Sequence, residues 1–400
     1  MRLLEEICLR RYGPFADTVK AADVVVFQAE GAMGLGADFA RGPRLMLLPF
    51  VAKHAWNKTV ISLNQSFYAQ DARVIRNAVE SFGSFDFTAF REGASAALAR
   101  ASGLTHAAYV PDLAFETRAA VDTSGPRAPR YFAVSGSALK DPDRYRLILD
   151  QAKAIQAATG LKPLIALSRD NRMKILSRLR LRPGSYASVP SNLSYAKVAP
   201  LLADSAFILG GRYHMAIMGA AVGAWPMLLP GNSFKNEGLA SLLDLGQTVR
   251  RFDETGGILA DVTAFMANRD AAAERLDASI RRIRRNIAGA RHHVTALLAG
   301  DNPGAYVDTL PAPPPIEGLI ERYRKFGSGK PIGGWRVKLK RCIPAEATPR
   351  QVLTPLIDGY AADPQGVAPV LRHLATTDRA MAQEITRAAP RLPGFDLTKP

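Results

Sequence analysis

The sequence predicts an α/β protein built from two doubly wound domains, and three observations carry that expectation. Short apolar runs recur along the first 230 residues, helix-length stretches separate them, and the runs end in polar or glycine-bearing loops. Strands alternating with helices, with polar loops at the strand carboxyl ends, are the grammar of a sheet whose ligands sit beyond those ends.

Taken in order, residues 1–20 open with a short helix whose apolar side includes Leu3, Leu4, Ile7 and Cys8. Asp23–Phe27 (DVVVF) is the first strand, a continuous apolar run of the kind buried in a parallel sheet. It enters the turn that carries Glu30 and Gly31. A helix over 43–55, a strand over 59–63, a helix over 69–82 and a strand over 85–90 follow. Arg91-Glu92 then starts a helix that closes at Gly103, and the short strand 107–110 runs into Pro111-Asp112. Residues 1–116 thus form one unit. Residues 117–130 (TRAAVDTSGPRAPR) are polar, broken by Gly and Pro, and read as a linker.

The pattern restarts at 131–134, a strand with the turn Ser135-Gly136-Ser137 at its end. A helix over 142–159, a strand over 163–167 ending at Ser168-Arg169, and helices over 172–181 and 195–203 lead to the most informative stretch, 206–239. Here an apolar run, Gly210-Gly211, Arg212 and His214 precede a small-residue helix, a strand over 226–229 and a loop carrying Lys235. A long arginine-dense helix over 260–299 completes a second unit, 131–300. A proline-rich linker, 301–315, and a basic extension, 316–400, follow, the latter with the run 335–341 (WRVKLKR).

Composition bounds the function. The chain has 400 residues, 48% of them apolar, and 52 Lys+Arg against 36 Asp+Glu leave +16. That excess favours anionic partners: phosphorylated small molecules or an anionic membrane surface. No compact basic-aromatic module is visible, so nucleic acid is not expected. Two cysteines, Cys8 and Cys342, form no framework, and neither a signal-peptide pattern nor a spanning apolar run is present. A cytoplasmic setting is expected, with peripheral contact at the inner face of the membrane through Arg281, Arg282, Arg284, Arg285 and Arg291 as the alternative to a solvated helix face.

The chemistry concentrates at Arg212 and His214. A helix start offers free N–H groups and partial positive charge, arginine adds a planar fork for an oxyanion, and histidine titrates near neutrality. Gly211 would let a ligand approach the backbone. The bland alternative has His214 packing beneath the helix and Arg212 paired with a carboxylate. Ser135, Ser137 and Arg169 end strands of the second unit, and Lys235 lies in the loop after another, on the same rim if the strands are neighbours; each either lines the cleft or is an ordinary loop or surface residue. Glu30 and Asp112 are candidate acids or bases, with a structural turn carboxylate and a helix cap as their plain readings. Arg91-Glu92 reads as an ion pair steadying its helix. No metal ligand set or nucleotide-binding lysine motif is present.

Gly211-Arg212-Tyr213-His214, the small-residue helix, the proline-led strand and Lys235 followed by Gly238-Leu239 resemble the signature of polysaccharide pyruvyl transferases. Ala29-Glu30-Gly31, Arg91-Glu92 with Ser95, and Val110–Phe115 agree in order. The resemblance spans residues 21–300 and implies two Rossmann-like domains in a GT-B-like arrangement. It also implies transfer of a pyruvyl group from phosphoenolpyruvate, as donor substrate and without a cofactor, to a glycan or lipid-linked sugar as a cyclic ketal. On that pattern Arg212 holds phosphate or carboxylate, His214 is the general acid, and Glu30 or Asp112 is the base. The family's opening strand and turn have no counterpart before residue 21, so the N-terminal domain is expected to be shortened. A glycosyltransferase, with Arg212 and Lys235 on a nucleotide diphosphate, and a non-catalytic glycan-binding relative are the alternative readings.

Overall fold

The computed structural model describes residues 1–30, 41–68, 72–117, 129, 131–137, 142–166, 187–188, 194–315, 317–319, 322–323, 348–350, 379–397 and single positions between 353 and 375. Arg169, the expected helix over 172–181 and the basic run 335–341 lie outside these residues.

Two helices, α1 (Arg2–Tyr12) and α2 (Pro14–Ala21), precede the first sheet. That sheet is parallel, with strands β1 (Val24–Phe27), β2 (Thr59–Gln65), β3 (Phe87–Phe90) and β4 (Ala108–Tyr109) lying in chain order. Helices α3 (Arg41–His54), α4 (Ala72–Gly83) and α5 (Gly93–Ala101) make the connections. One expectation fails here. β1 was expected to be buried, yet it is an edge strand paired only with β2 among the described residues, and Val26 is 63% exposed. Every crossover moves in one direction, so among the described residues no strand covers its other side.

The second sheet is also parallel, in the order β7-β6-β5-β8-β9. Its strands are β5 (Tyr131–Gly136), β6 (Lys162–Ile165), β7 (Ala187–Ser188), β8 (Ser205–Gly210) and β9 (Trp225–Leu228). The chain winds outward from β5 to β7, returns to β8 and winds the other way. The β5–β8 boundary is therefore the topological switch point, where open α/β sheets leave a crevice beyond the strand ends. β8 is buried at every position, and Phe207 stacks on Phe132 of β5 at 5.1 Å.

Helices α6 (Pro142–Thr159), α7 (Tyr195–Ala203), α8 (Tyr213–Ala220) and α9 (Lys235–Leu242) belong to this half. The long helix expected over 260–299 is two helices, α10 (Thr255–Ala267) and α11 (Arg269–Leu298). Asn268 breaks it: its side chain donates to the Ala264 carbonyl at 3.0 Å while its backbone turns to φ −125°, ψ 31°. A short side-chain amide that satisfies the backbone locally competes with helix continuation.

The arginines of α11 mostly serve the protein itself. Arg284 donates to the Phe115 carbonyl (3.2 Å), Arg291 pairs with Glu116 (2.8 Å), Arg282 donates to the Leu242 carbonyl (3.1 Å) and Arg281 pairs with Asp277. Two of these contacts tie α11 back to the end of the first sheet's domain. The segment expected as a proline-rich linker, 301–315, is likewise held: the Tyr306 hydroxyl bonds Asn286, Asp308 meets Arg100 at 3.4 Å, and the Ala312 carbonyl accepts from Ser241. Tyr323 is buried against Tyr68 and donates to Glu237, and the first compact unit runs through Gly327.

The second unit, Ser328–Pro400, has its own small core. Leu353, Ile357 and Tyr360 fall at helical spacing and are buried with Leu371, Met381 and Ile385, the last two from α12 (Arg379–Ala388). Among the described residues no helix is long and apolar enough to cross a membrane.

Candidate functional site

The site grows from the end of β8. Gly210 sits at φ +155°, and a Cβ there would lie 2.2 Å from Ser135 Oγ and 2.9 Å from the Gly136 carbonyl. At Gly211 a Cβ would strike the Pro230 carbonyl at 2.5 Å, and its N–H donates to the Gly136 carbonyl at 2.7 Å. The glycine pair therefore lets three strand ends converge. Its identity is accounted for by backbone packing rather than by room for a ligand at Gly211.

Arg212 caps α8 in an extended conformation, and His214 projects from the first turn with its side chain 46% exposed. His214 Nε2 lies 3.3 Å from Asp112 Oδ2. Asp112, 1% exposed, begins the turn after β4, and its Oδ1 accepts from the Ala114 N–H at 2.9 Å. The first domain thus supplies the carboxylate that orients the second domain's histidine.

The hub is Arg91, a residue whose plain helix-steadying reading fails. Fully buried at the end of β3, it donates from Nη1 to Asp112 Oδ2 (3.1 Å), from Nη2 to Glu30 Oε1 (3.2 Å) and from Nε to Ser66 Oγ (3.0 Å). Nη1 is also 3.5 Å from His214 Nε2. Glu92 turns instead to Ser66, whose hydroxyl donates to Oε1 at 2.6 Å; Oε2 is buried with no hydrogen-bond partner among the described residues. The signal for Arg91 was its position, a charged residue at a strand's carboxyl end. What misled was the adjacent Glu92.

The electrostatics follow from this packing. Burial alone would raise the Asp112 carboxyl, but the His214 hydrogen bond, Arg91 and the Ala114 N–H together hold it below its ordinary value. Glu92 goes the other way: burial raises it, opposed by Arg91, Ser66 and Lys235. Lys235, first residue of α9, is lowered by burial and then by Arg91, with Glu92, Glu30 and Arg212 also acting on it. Its ammonium lies 5.7 Å from the Tyr213 ring centroid, and the Arg91 guanidinium lies 5.1 Å from the same ring. Arg212 and Lys235 form no ion pair with a carboxylate among the described residues, against the plain reading of Arg212.

The remaining candidates divide. Glu30, at φ 52°, anchors to Arg91 with a side chain 58% exposed, whereas both oxygens of Asp112 are engaged. Ser135, at the switch point beside Gly210, has a buried hydroxyl without a partner among the described residues. Ser137 is fully buried, and its carbonyl accepts from the Tyr145 hydroxyl at 2.8 Å. No group of His, Cys, Asp and Glu able to hold a metal is found among the described residues.

A search of curated proteins gives no match. Among solved structures, the chain is similar to a putative UDP-N-acetylglucosamine 2-epimerase from Listeria monocytogenes, with 11% identity, TM-score 0.49, and 76% and 83% of the two chains covered. It is also similar to a spinosyn rhamnosyltransferase complexed with thymidine diphosphate (12%, TM-score 0.43, 70% and 75% covered). A calicheamicin glycosyltransferase follows (17%, TM-score 0.43, 69% and 73%). The family description "polysaccharide pyruvyl transferase" matches residues 3–230, more than half of the chain and including Glu30, Arg91, Asp112, Arg212 and His214. By that match the chain belongs to the polysaccharide pyruvyl transferase family, a family of transferases.

Proposed function

We propose that the protein transfers the pyruvyl group of phosphoenolpyruvate to two hydroxyls of a sugar in a surface-polysaccharide precursor, releasing phosphate and leaving a cyclic ketal. The observation that carries this reading is the pair of cations, Arg212 and Lys235, that form no ion pair with a carboxylate among the described residues, beside a histidine already oriented by a buried aspartate. Phosphoenolpyruvate offers a phosphate and a carboxylate for those cations, and an enol carbon that becomes electrophilic only when protonated.

The steps balance with these residues. Protonated His214 gives its proton to the methylene carbon, making a methyl group and a cationic carbon that carries phosphate and carboxylate. A sugar hydroxyl adds to that carbon and loses its proton to Glu30, the exposed carboxylate. The carbon–oxygen bond to phosphate breaks, and the departing phosphate takes the proton from Glu30. The second hydroxyl closes the ketal and returns a proton to His214. Asp112 holds the imidazole throughout, as a buried carboxylate orients an acid–base histidine elsewhere.

The test is incubation with phosphoenolpyruvate and sugars presenting paired hydroxyls, following phosphate release and the mass of the sugar. Phosphate release matched by a ketal product is expected. Turnover of a nucleotide sugar without phosphate release from phosphoenolpyruvate would establish a glycosyltransferase instead. Glycan binding without either reaction would leave a non-catalytic relative.

A further inference from the structure

Glu92 has no place in the steps above, yet it is buried in the wall of the same site. Its carboxyl accepts from Ser66 Oγ at 2.6 Å, and that same Oγ accepts from Arg91 Nε at 3.0 Å. Its other oxygen is buried and has no hydrogen-bond partner among the described residues. On its far side it packs on α9: a Cβ built on Gly238 would lie 3.3 Å from Glu92 Cβ, and Lys235 is one turn earlier on that helix. Leaving a carboxyl in such a place costs free energy unless its neighbours use it. A purely structural link to Ser66 would be met more cheaply by a neutral amide.

We propose that Glu92 is a positioning residue: through Ser66 it sets the Arg91 guanidinium, and through its packing on Gly238 it ties that guanidinium to the helix bearing Lys235. The relay runs from Glu92 to Ser66 to Arg91, and Arg91 in turn meets Asp112, Glu30 and His214. One buried carboxyl thereby fixes groups from both sheets at one spacing. This role rests on the phosphoenolpyruvate reading of the site.

A double-mutant cycle tests it. Phosphoenolpyruvate binding is measured by calorimetry on the full chain, its Ser66→Ala and Glu92→Ala variants and the double variant, with thermal melts alongside. Each single change is expected to weaken binding about tenfold, and the double change to be no worse than the weaker single, because both break one relay. Singles within about twofold of the parent, or a double variant whose loss is the product of the two, would overturn the relay. Absence of phosphoenolpyruvate binding in the parent chain would overturn the reading of the site and the role of Glu92 with it. Should Glu92→Ala fail to fold, Ser66→Ala still cuts the relay while leaving Glu92 in place, and unchanged binding there refutes it.

Discussion

At the scale of single residues, the site is organised by what each carboxylate has to satisfy. Asp112 is spent on His214, Arg91 and the Ala114 N–H, so it orients; the Glu30 side chain, bonded to Arg91, is 58% exposed and within reach of solvent. His214→Ala should abolish phosphate release with little change in melting temperature, since the imidazole is only half-buried; near-normal turnover would remove its role. Asp112→Asn keeps the turn cap but loses the charge, and should lower kcat about a hundredfold or more with a smaller effect on KM. The same substitution alters acid stability. The folded Asp112 lies below its ordinary 3.8, so its contribution is present above that value and is lost as pH falls through the folded value. Denaturant midpoints at neutral pH and at pH about 3 should therefore differ less in Asp112→Asn than in the parent.

Elements decide where those residues meet. The switch point between β5 and β8 works only if the two strand ends approach closely, and Gly210 is what permits it. Gly210→Ala should destabilise the fold by about 2 kcal/mol or more, because the new methyl meets Ser135 Oγ and the Gly136 carbonyl in a backbone region alanine avoids. A thermal melt unchanged from the parent would contradict this account. The Asn268 break shows the same logic in a helix. A run of helix formers reads as one element, but one side-chain amide bonded to Ala264 divides it.

For the first compact unit as a whole, the net charge of +16 belongs to the entire chain and does not point to one surface. Four of the five α11 arginines singled out by their spacing are engaged with protein acceptors or carboxylates. Two of these contacts, Arg284 to the Phe115 carbonyl and Arg291 to Glu116, join α11 to the first sheet's domain. Binding to vesicles rich in anionic lipid, if it occurs, should persist when Arg284 and Arg291 are changed to Ala, while the melting temperature falls. Loss of vesicle binding in those variants at unchanged stability would assign a membrane role to α11.

The alternation of apolar runs and polar loops was legible in the sequence because parallel strands must be apolar and their carboxyl ends must carry the chemistry. By the same reasoning Arg212, His214 and Lys235 stood out, and so did Glu30 and Asp112. The sequence could not show that β1 is an edge, since a run such as VVVF looks the same with one neighbour or two. Nor could it assign Arg91. Next to Glu92 it resembles a local ion pair, and only the folded chain shows its fork spread over Ser66, Glu30 and Asp112. Residue type and local pattern determine which elements form and which side chains are fit for chemistry. Which carboxylate is buried, which cation is left without one, and which histidine faces which aspartate depend on contacts between residues a hundred positions apart, and those are decided by tertiary packing alone.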